Sequence, residues 1–226
     1  MIIHTLLLLV TIGELAVLVL VLKRGMWRSL PIFCGYAAWA LLVDVALLLT
    51  QWRLSVGECV RLYEILLPIS CVVHFLVLAE VVLAVWNRHQ TTRSRRTDLL
   101  LVGMLFAALL TLWPISPKFV ADSLPPKAAL PEHFQVVLFV LFLACWLVLE
   151  GLRRKISLRR DDPVLQIIRG FGITATVSLC MRLAHKTFAI GLGPAFDVLE
   201  TVGYLGILTY WMFCMSRSRP RQDAEA

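Results

Sequence analysis

The chain has 226 residues, of which 59% are hydrophobic, and its formal net charge at pH 7 is +7. Soluble globular domains are about 45–50% apolar, so this composition excludes a water-soluble fold and predicts an integral membrane protein. The positive charge does not indicate nucleic-acid binding, because the basic residues stand in short clusters between apolar runs, as in the cytoplasmic loops of membrane proteins.

Seven apolar segments predict an all-α bundle of seven membrane-spanning helices. In chain order the spans cover residues 2–22, 30–50, 62–86, 98–115, 134–152, 164–186 and 195–215. Each is about 18–25 residues long, which at ~1.5 Å per residue crosses a ~30 Å hydrocarbon layer. We therefore expect one transmembrane domain, residues 1–216, followed by a short cytoplasmic tail, residues 217–226.

The distribution of Lys and Arg predicts the orientation. The first segment is expected to be a retained span and not a signal peptide, because no basic residue precedes it and "KRGMWR" follows it. The loops after spans one, three and five and the tail hold 15 Lys and Arg, whereas the opposite side holds 4. The positive-inside rule places the N-terminus outside and the C-terminus in the cytoplasm. We expect the membrane to be the cytoplasmic (inner) membrane of a prokaryote.

Residue spacing indicates no catalytic or metal-binding motif. The six cysteines form no CxxC or CxxxC pair, and the histidines form no HxxxH or HExxH pattern. His74, His185, Asp44 and Glu200 are acceptable zinc ligands by type, but they lie on four different spans. We predict no catalytic residues, no metal and no cofactor. An intramembrane enzyme is a third alternative, and it would need an activated water or nucleophile that no spacing in the chain identifies.

Four ionisable residues stand out within the first three spans. Such side chains cost roughly 2.5–3.5 kcal/mol at the bilayer centre and normally find a partner or a function. Asp44 and His74 lie about 21 and 19 Å from the cytoplasmic ends of adjacent antiparallel spans, so we predict that they form a pair. Glu14 and Glu80 lie in the inner half, at about 12 and 10 Å. Each is expected to be protonated, to hydrogen-bond to another helix or to pair with Arg169.

Spans six and seven each carry a polar stripe on one face. The stripes consist of Thr174, Ser178, Arg182 and His185 on span six and of Asp197, Glu200, Thr201 and Tyr204 on span seven. The short connection between the spans makes them antiparallel. The predicted pairs are His185 with Asp197, Arg182 with Glu200, and Ser178 with Tyr204.

Two interpretations of the stripes remain open. The pairs could hold the bundle together, for a modest ~0.6 kcal/mol on average, or they could line a polar chamber in the outer half that binds or translocates a small solute or ion. The predicted pathway consists of Asp44, His74, Ser178, Arg182, His185, Asp197, Glu200 and Tyr204. The alternative function is a non-catalytic sensor or assembly subunit that docks a partner through basic cytoplasmic loops. Besides the lipid bilayer, the expected partners are a membrane or cytoplasmic protein or a second copy of the chain.

Three families were compared with this pattern. The succession of three spans, a connector and three spans is similar, in topology alone, to small sugar transporters of the SWEET type, but the sequence contains no Pro-Gln dipeptide. Microbial rhodopsins share the seven spans, yet residues 195–215 contain no lysine to hold retinal. Seven-helix hydrolases of the ceramidase type carry paired histidines in their last helices, where this chain has only His185.

Overall fold

A computed structural model describes residues 2–50, 56–87, 95–120, 126–153, 158, 162–188 and 193–217. The helices are α1 (Ile2–Lys23), α2 (Pro31–Thr50), α3 (Val56–Asn87), α4 (Arg95–Leu112), α5 (Pro126–Leu152), α6 (Pro163–Phe188) and α7 (Gly193–Arg217). Short 3-10 helices follow α1 (Met26–Arg28) and α4 (Trp113–Lys118). All seven α-helices are long and apolar enough to cross a membrane. The predicted all-α seven-helix bundle is confirmed.

Six of the helices form a closed ring in the order α1, α2, α3, α5, α6, α7, and α7 packs back against α1. Helix α6 also contacts α3 across the ring. In its most apolar window 67% of the α6 residues are buried, against 11% in α4, which packs outside the ring on α3 and α5. The interior of the protein is therefore built around α6. We call the end of the bundle where α1, α3, α5 and α7 finish the inner end, since the sequence predicts it to be cytoplasmic.

An aromatic cluster fills the ring interior. Phe142 of α5 stacks on Phe171 of α6 at a centroid distance of 4.6 Å, and Phe33 of α2 and Trp211 of α7 meet edge to face at 5.7 Å. Trp211 is 2% exposed, and its indole Nε1 donates to the carbonyl oxygen of Gln166 at 3.3 Å. Large rings from four helices thus pack together at this level of the bundle.

The start of α2 is set by a carboxylate from α3. Glu80, 8% exposed, accepts hydrogen bonds from the backbone N–H groups of Ile32 and Phe33, both at 2.8 Å. The first N–H groups of a helix have no partner within the helix, and its N-terminus favours a negative charge. Pro31 suits the first position because it has no N–H to satisfy. Of the three roles expected for Glu80, the structure shows the hydrogen bond to another helix.

The described helices extend beyond the predicted spans at two outer ends. Helix α3 begins at Val56 and α5 at Pro126, six and eight residues before the predicted starts. Hydropathy marks only the part of a helix that lies in hydrocarbon, and a helix can continue past it with polar residues. Glu132 and His133, assigned from the sequence to the outer loop, consequently lie on α5.

Candidate functional site

Glu14 is a carboxylate enclosed between the first, second and last helices. It lies about 13 Å from the inner end of α1, near the middle of a ~30 Å hydrocarbon layer, and only 4% of the residue is exposed. The Tyr204 hydroxyl of α7 donates a hydrogen bond to Glu14 Oε1 at 2.8 Å. The Tyr36 hydroxyl of α2 is in side-chain contact with Tyr204. A polar chain thus runs from α2 through α7 to α1.

A second carboxylate, Asp44 of α2, lies against the first. The Asp44 and Glu14 carboxylates are in side-chain contact, yet Glu14 Oε2 has no hydrogen-bond partner within the described ranges. Ionised carboxylates are acceptors only, so two of them cannot hydrogen-bond to each other without a proton between them. No Lys, Arg or His side chain of the described residues pairs with either group. We call Glu14, Asp44, Tyr36 and Tyr204 the carboxylate site.

A small cavity adjoins the carboxylate site and has room for about one water molecule. Its walls are mostly apolar, and the only oxygen-bearing side chains on them belong to Glu14 and Tyr204. The lining residues are Glu14, Val17, Phe33, Ala37, Ala40, Tyr204, Leu208 and Trp211. The cavity therefore presents one carboxylate and one hydroxyl to a very small occupant.

The predicted pair of Asp44 with His74 is wrong. His74 Nδ1 lies 2.7 Å from the carbonyl oxygen of Ser70, and the ring packs at 5.0 Å from that of Tyr36, two helical turns before Asp44. The prediction assumed that α2 and α3 share the same inner limit. Glu80 caps α2, so the first residues of α2 lie beside Glu80 and not beside Asn87 at the inner end of α3. Glu80 lies about 10 Å before that end, so α2 is displaced along α3 by about 10 Å from the predicted alignment.

The predicted pairs between spans six and seven are also different in the structure. Ser178 donates to Glu200 Oε1 at 2.6 Å, one turn from the predicted register, and Tyr204 bonds to Glu14. Arg182 turns to α5, where it bonds to Glu132 Oε2 at 2.5 Å and to Gln135 Oε1 at 2.8 Å. The polar stripe of α6 is thus divided between two neighbours, because α6 lies between α5 and α7 in the ring.

Two remaining expectations have separate outcomes. His185 is exposed at the outer end of α6, and the side chain of its predicted partner Asp197 lies outside the described residues, so this pair stays a prediction. Arg169 bonds through Nη2 to Glu150 Oε2 at 2.7 Å, and not to Glu14 or Glu80. The second carboxylate oxygen of Glu150 faces Arg153 Nε at 3.3 Å. This inner cluster is an interfacial ion pair.

Sequence reasoning did not single out Tyr36, Glu132 or Gln135. Tyrosine in an apolar span is usually a membrane-interface residue, and only its contact with Tyr204 gives Tyr36 a place in the polar chain. Glu132 was set aside because the hydropathy boundary of span five falls just after it. Four of the predicted residues, Glu14, Asp44, His74 and Tyr204, do lie in or next to the polar chain, although in other pairings.

Among the described residues no group of three or more His, Cys, Asp or Glu could hold a metal ion. Comparisons with known protein families, with curated proteins and with solved structures found no match for this chain. The class of protein is therefore defined by the helices themselves: the chain is a multi-pass membrane protein with seven apolar helices.

Proposed function

We propose that this multi-pass protein lies in the inner membrane of a prokaryote and binds a small solute or ion within its bundle in order to move it across. The observation that carries the proposal is the carboxylate site, where Glu14 and Asp44 lie side by side with no cationic partner among the described residues. Unpaired ionisable groups at membrane depth are costly and mark substrate or ion pathways.

Three other described carboxylates in the bundle differ from this site in their partners. Glu132 faces Arg182, Glu150 faces Arg169, and Glu80 accepts two backbone N–H groups. Each of these has a partner that satisfies its charge, as expected of groups that hold a structure together. Glu14 and Asp44 face each other instead, and buried ionisable groups without a cationic partner are typical of a functional site in a membrane protein.

The proposed binding site lies at the interface of α1, α2 and α7, and not between the polar stripes of α6 and α7 that the sequence predicts. Arg182 and Glu200 each bond to a side chain that complements their charge or polarity, whereas Glu14 and Asp44 face each other. Asp44 and Tyr204 belong both to the predicted chamber and to the carboxylate site. These two residues are therefore common to the pathway predicted from the sequence and to the site found in the structure.

Cysteine accessibility tests the proposal. In a variant whose native cysteines are replaced, Ala40→Cys introduces a thiol into the cavity wall, and Ala175→Cys places one on α6 at a fully buried position. A pathway for a solute or ion has to admit water at some stage of its cycle. We expect a small, charged methanethiosulfonate reagent to label Ala40→Cys from solution and to leave Ala175→Cys unlabelled, with both variants folded.

If neither thiol reacts over the range of pH and salt in which the protein is stable, the interior is closed and the proposal fails. The result would then favour the alternative function, a sensor or assembly subunit that docks a membrane or cytoplasmic protein. Neutralising Arg159 and Arg160, which precede α6 in the sequence, would test that alternative directly.

A further inference from the structure

The chemistry of the carboxylate site limits what it can bind. Glu14 Oε2 is an acceptor without a donor, in a residue that is 96% buried, and Asp44 beside it supplies only further acceptor oxygens. A buried acceptor without a partner carries a desolvation cost of about 1–3 kcal/mol, and more when it is charged. The site therefore requires a donor or a positive charge between the two carboxylates.

The cavity on the Glu14 side of the pair is small for most ligands of that kind. Mg²⁺ takes six ligands and Ca²⁺ takes 6–8 oxygens, whereas the cavity wall presents only the oxygens of Glu14 and Tyr204. An organic cation does not fit into room for about one water molecule. A proton fits without any further space.

We propose that Glu14 and Asp44 hold one proton between them and that the proton is the ion which this site binds. The Tyr204 hydroxyl donates to Oε1 of Glu14, which leaves Oε2 as the oxygen available to share the proton. In a transfer the O–H bond on one carboxylate breaks as the O–H bond on the other forms, and the pair keeps a net charge of −1. That single charge explains how two carboxylates can lie together here without a cation.

Among the residues that the structure describes, the polar groups near the pair come from two neighbouring helices. Helix α7 contributes Tyr204 and α2 contributes Tyr36, behind which lies His74 of α3, in ring contact with Tyr36. The shared proton identifies the kind of ion that the proposed pathway would carry. Only the movement of that proton across the membrane rests on the proposed function. The presence of the shared proton can be tested by itself.

Infrared difference spectroscopy in D₂O detects a protonated carboxylic acid by its C=O stretching band. We expect wild type minus Glu14→Gln at neutral pH to show this band at an intensity of about one group per chain. In Asp44→Asn the band should shift in frequency, because the second partner of the proton becomes an amide. Glu80→Gln is the matched control: its carboxylate accepts two N–H groups, so only an ionised carboxylate band should be lost.

The inference is overturned if Glu14→Gln loses no protonated carboxyl band. If that variant does not fold, an unchanged band in Asp44→Asn overturns the inference in the same way. The two proposals fail separately. If Ala40→Cys reacts but no protonated carboxyl band is found, the pathway is supported and the shared proton is rejected. If the protonated band is present but the thiol does not react, the shared proton is supported and the pathway is rejected.

Discussion

Individual buried carboxylates in this bundle meet three kinds of partner, and the partner determines what each contributes. Glu80 binds backbone N–H groups, Glu132 binds a guanidinium, and Glu14 faces another carboxylate. The first two have their charge satisfied, so their removal should destabilise the fold. Replacing Glu14 by Gln leaves a hydrogen-bonding group against Asp44, so its effect should appear in function and not in stability.

The ion pair between α5 and α6 can be tested with a double-mutant cycle. Arg182→Gln and Glu132→Gln should each lower the free energy of unfolding by about 2–3 kcal/mol, below the 3–5 kcal/mol of a fully buried pair, because the Arg182 side chain is 22% exposed. The double variant should lose less than the sum, by about 1 kcal/mol or more. Unfolding in a mixed-detergent titration measures all three.

The matched cycle uses Glu200→Gln, the partner predicted from the sequence. Since Glu200 accepts from Ser178 and not from Arg182, its coupling to Arg182 should stay below about 0.5 kcal/mol. A larger coupling for Glu200 than for Glu132 would contradict the register described here.

Neutralising the carboxylate site should not weaken the fold. Glu14→Gln should leave the melting temperature unchanged or raise it by a few degrees, because the amide of Gln can donate to Asp44. Glu132→Gln, which strands Arg182, should lower the melting temperature in the same detergent. A loss in Glu14→Gln as large as that in Glu132→Gln would assign Glu14 a structural role.

At the scale of helices, the start of α2 depends on a side chain of α3. Glu80→Ala leaves the N–H groups of Ile32 and Phe33 without their acceptor, and we expect a loss of about 2 kcal/mol, at the upper end of what a helix cap contributes. Glu80→Gln keeps one acceptor oxygen and should lose less. Glu64→Gln, near the outer end of the same helix, is the control, and an equal loss there would show that the effect does not come from the cap.

The contact of α6 with α7 requires a glycine at position 170. A Cβ on Gly170 would lie 2.2 Å from Trp211 Nε1, and the indole is held by Phe33 and Phe171. Gly170→Ala should therefore cost about 1–3 kcal/mol, as overpacking of a core does. Gly206→Ala on α7 has nothing within 4 Å and should be neutral or stabilising. Thermal unfolding monitored by Trp fluorescence compares the two, and equal stability would contradict the packing.

The number of helices could be predicted from the sequence, but their limits and register could not. Seven apolar runs suffice to count the spans, because lipid requires every crossing segment to be helical. The start of α5 was missed because polar residues such as Glu132 can continue a helix outside hydrocarbon. The partner of Asp44 was missed because it depends on where α2 begins beside α3, and that is decided by a tertiary contact of Glu80.

At the scale of the whole molecule, six helices close into a ring and α4 remains outside it. The orientation of this ring follows from the charge asymmetry of the sequence and is a prediction. Green fluorescent protein fused after Ala226 should fluoresce, since it folds in the cytoplasm, whereas alkaline phosphatase at the same position should be inactive. The reverse pattern would place the C-terminus outside.

The hydrogen bond between Tyr204 and Glu14 joins residues 190 positions apart in the chain. During synthesis α1 enters the membrane long before α7 has been translated, so the Glu14 carboxylate has to wait for its hydroxyl partner. A chain that stops before α7 keeps this group without that hydrogen bond and leaves the ring open between α1 and α6. This hydrogen bond can therefore form only after α7 has been inserted, so finished and unfinished copies of the bundle differ at this one buried carboxylate.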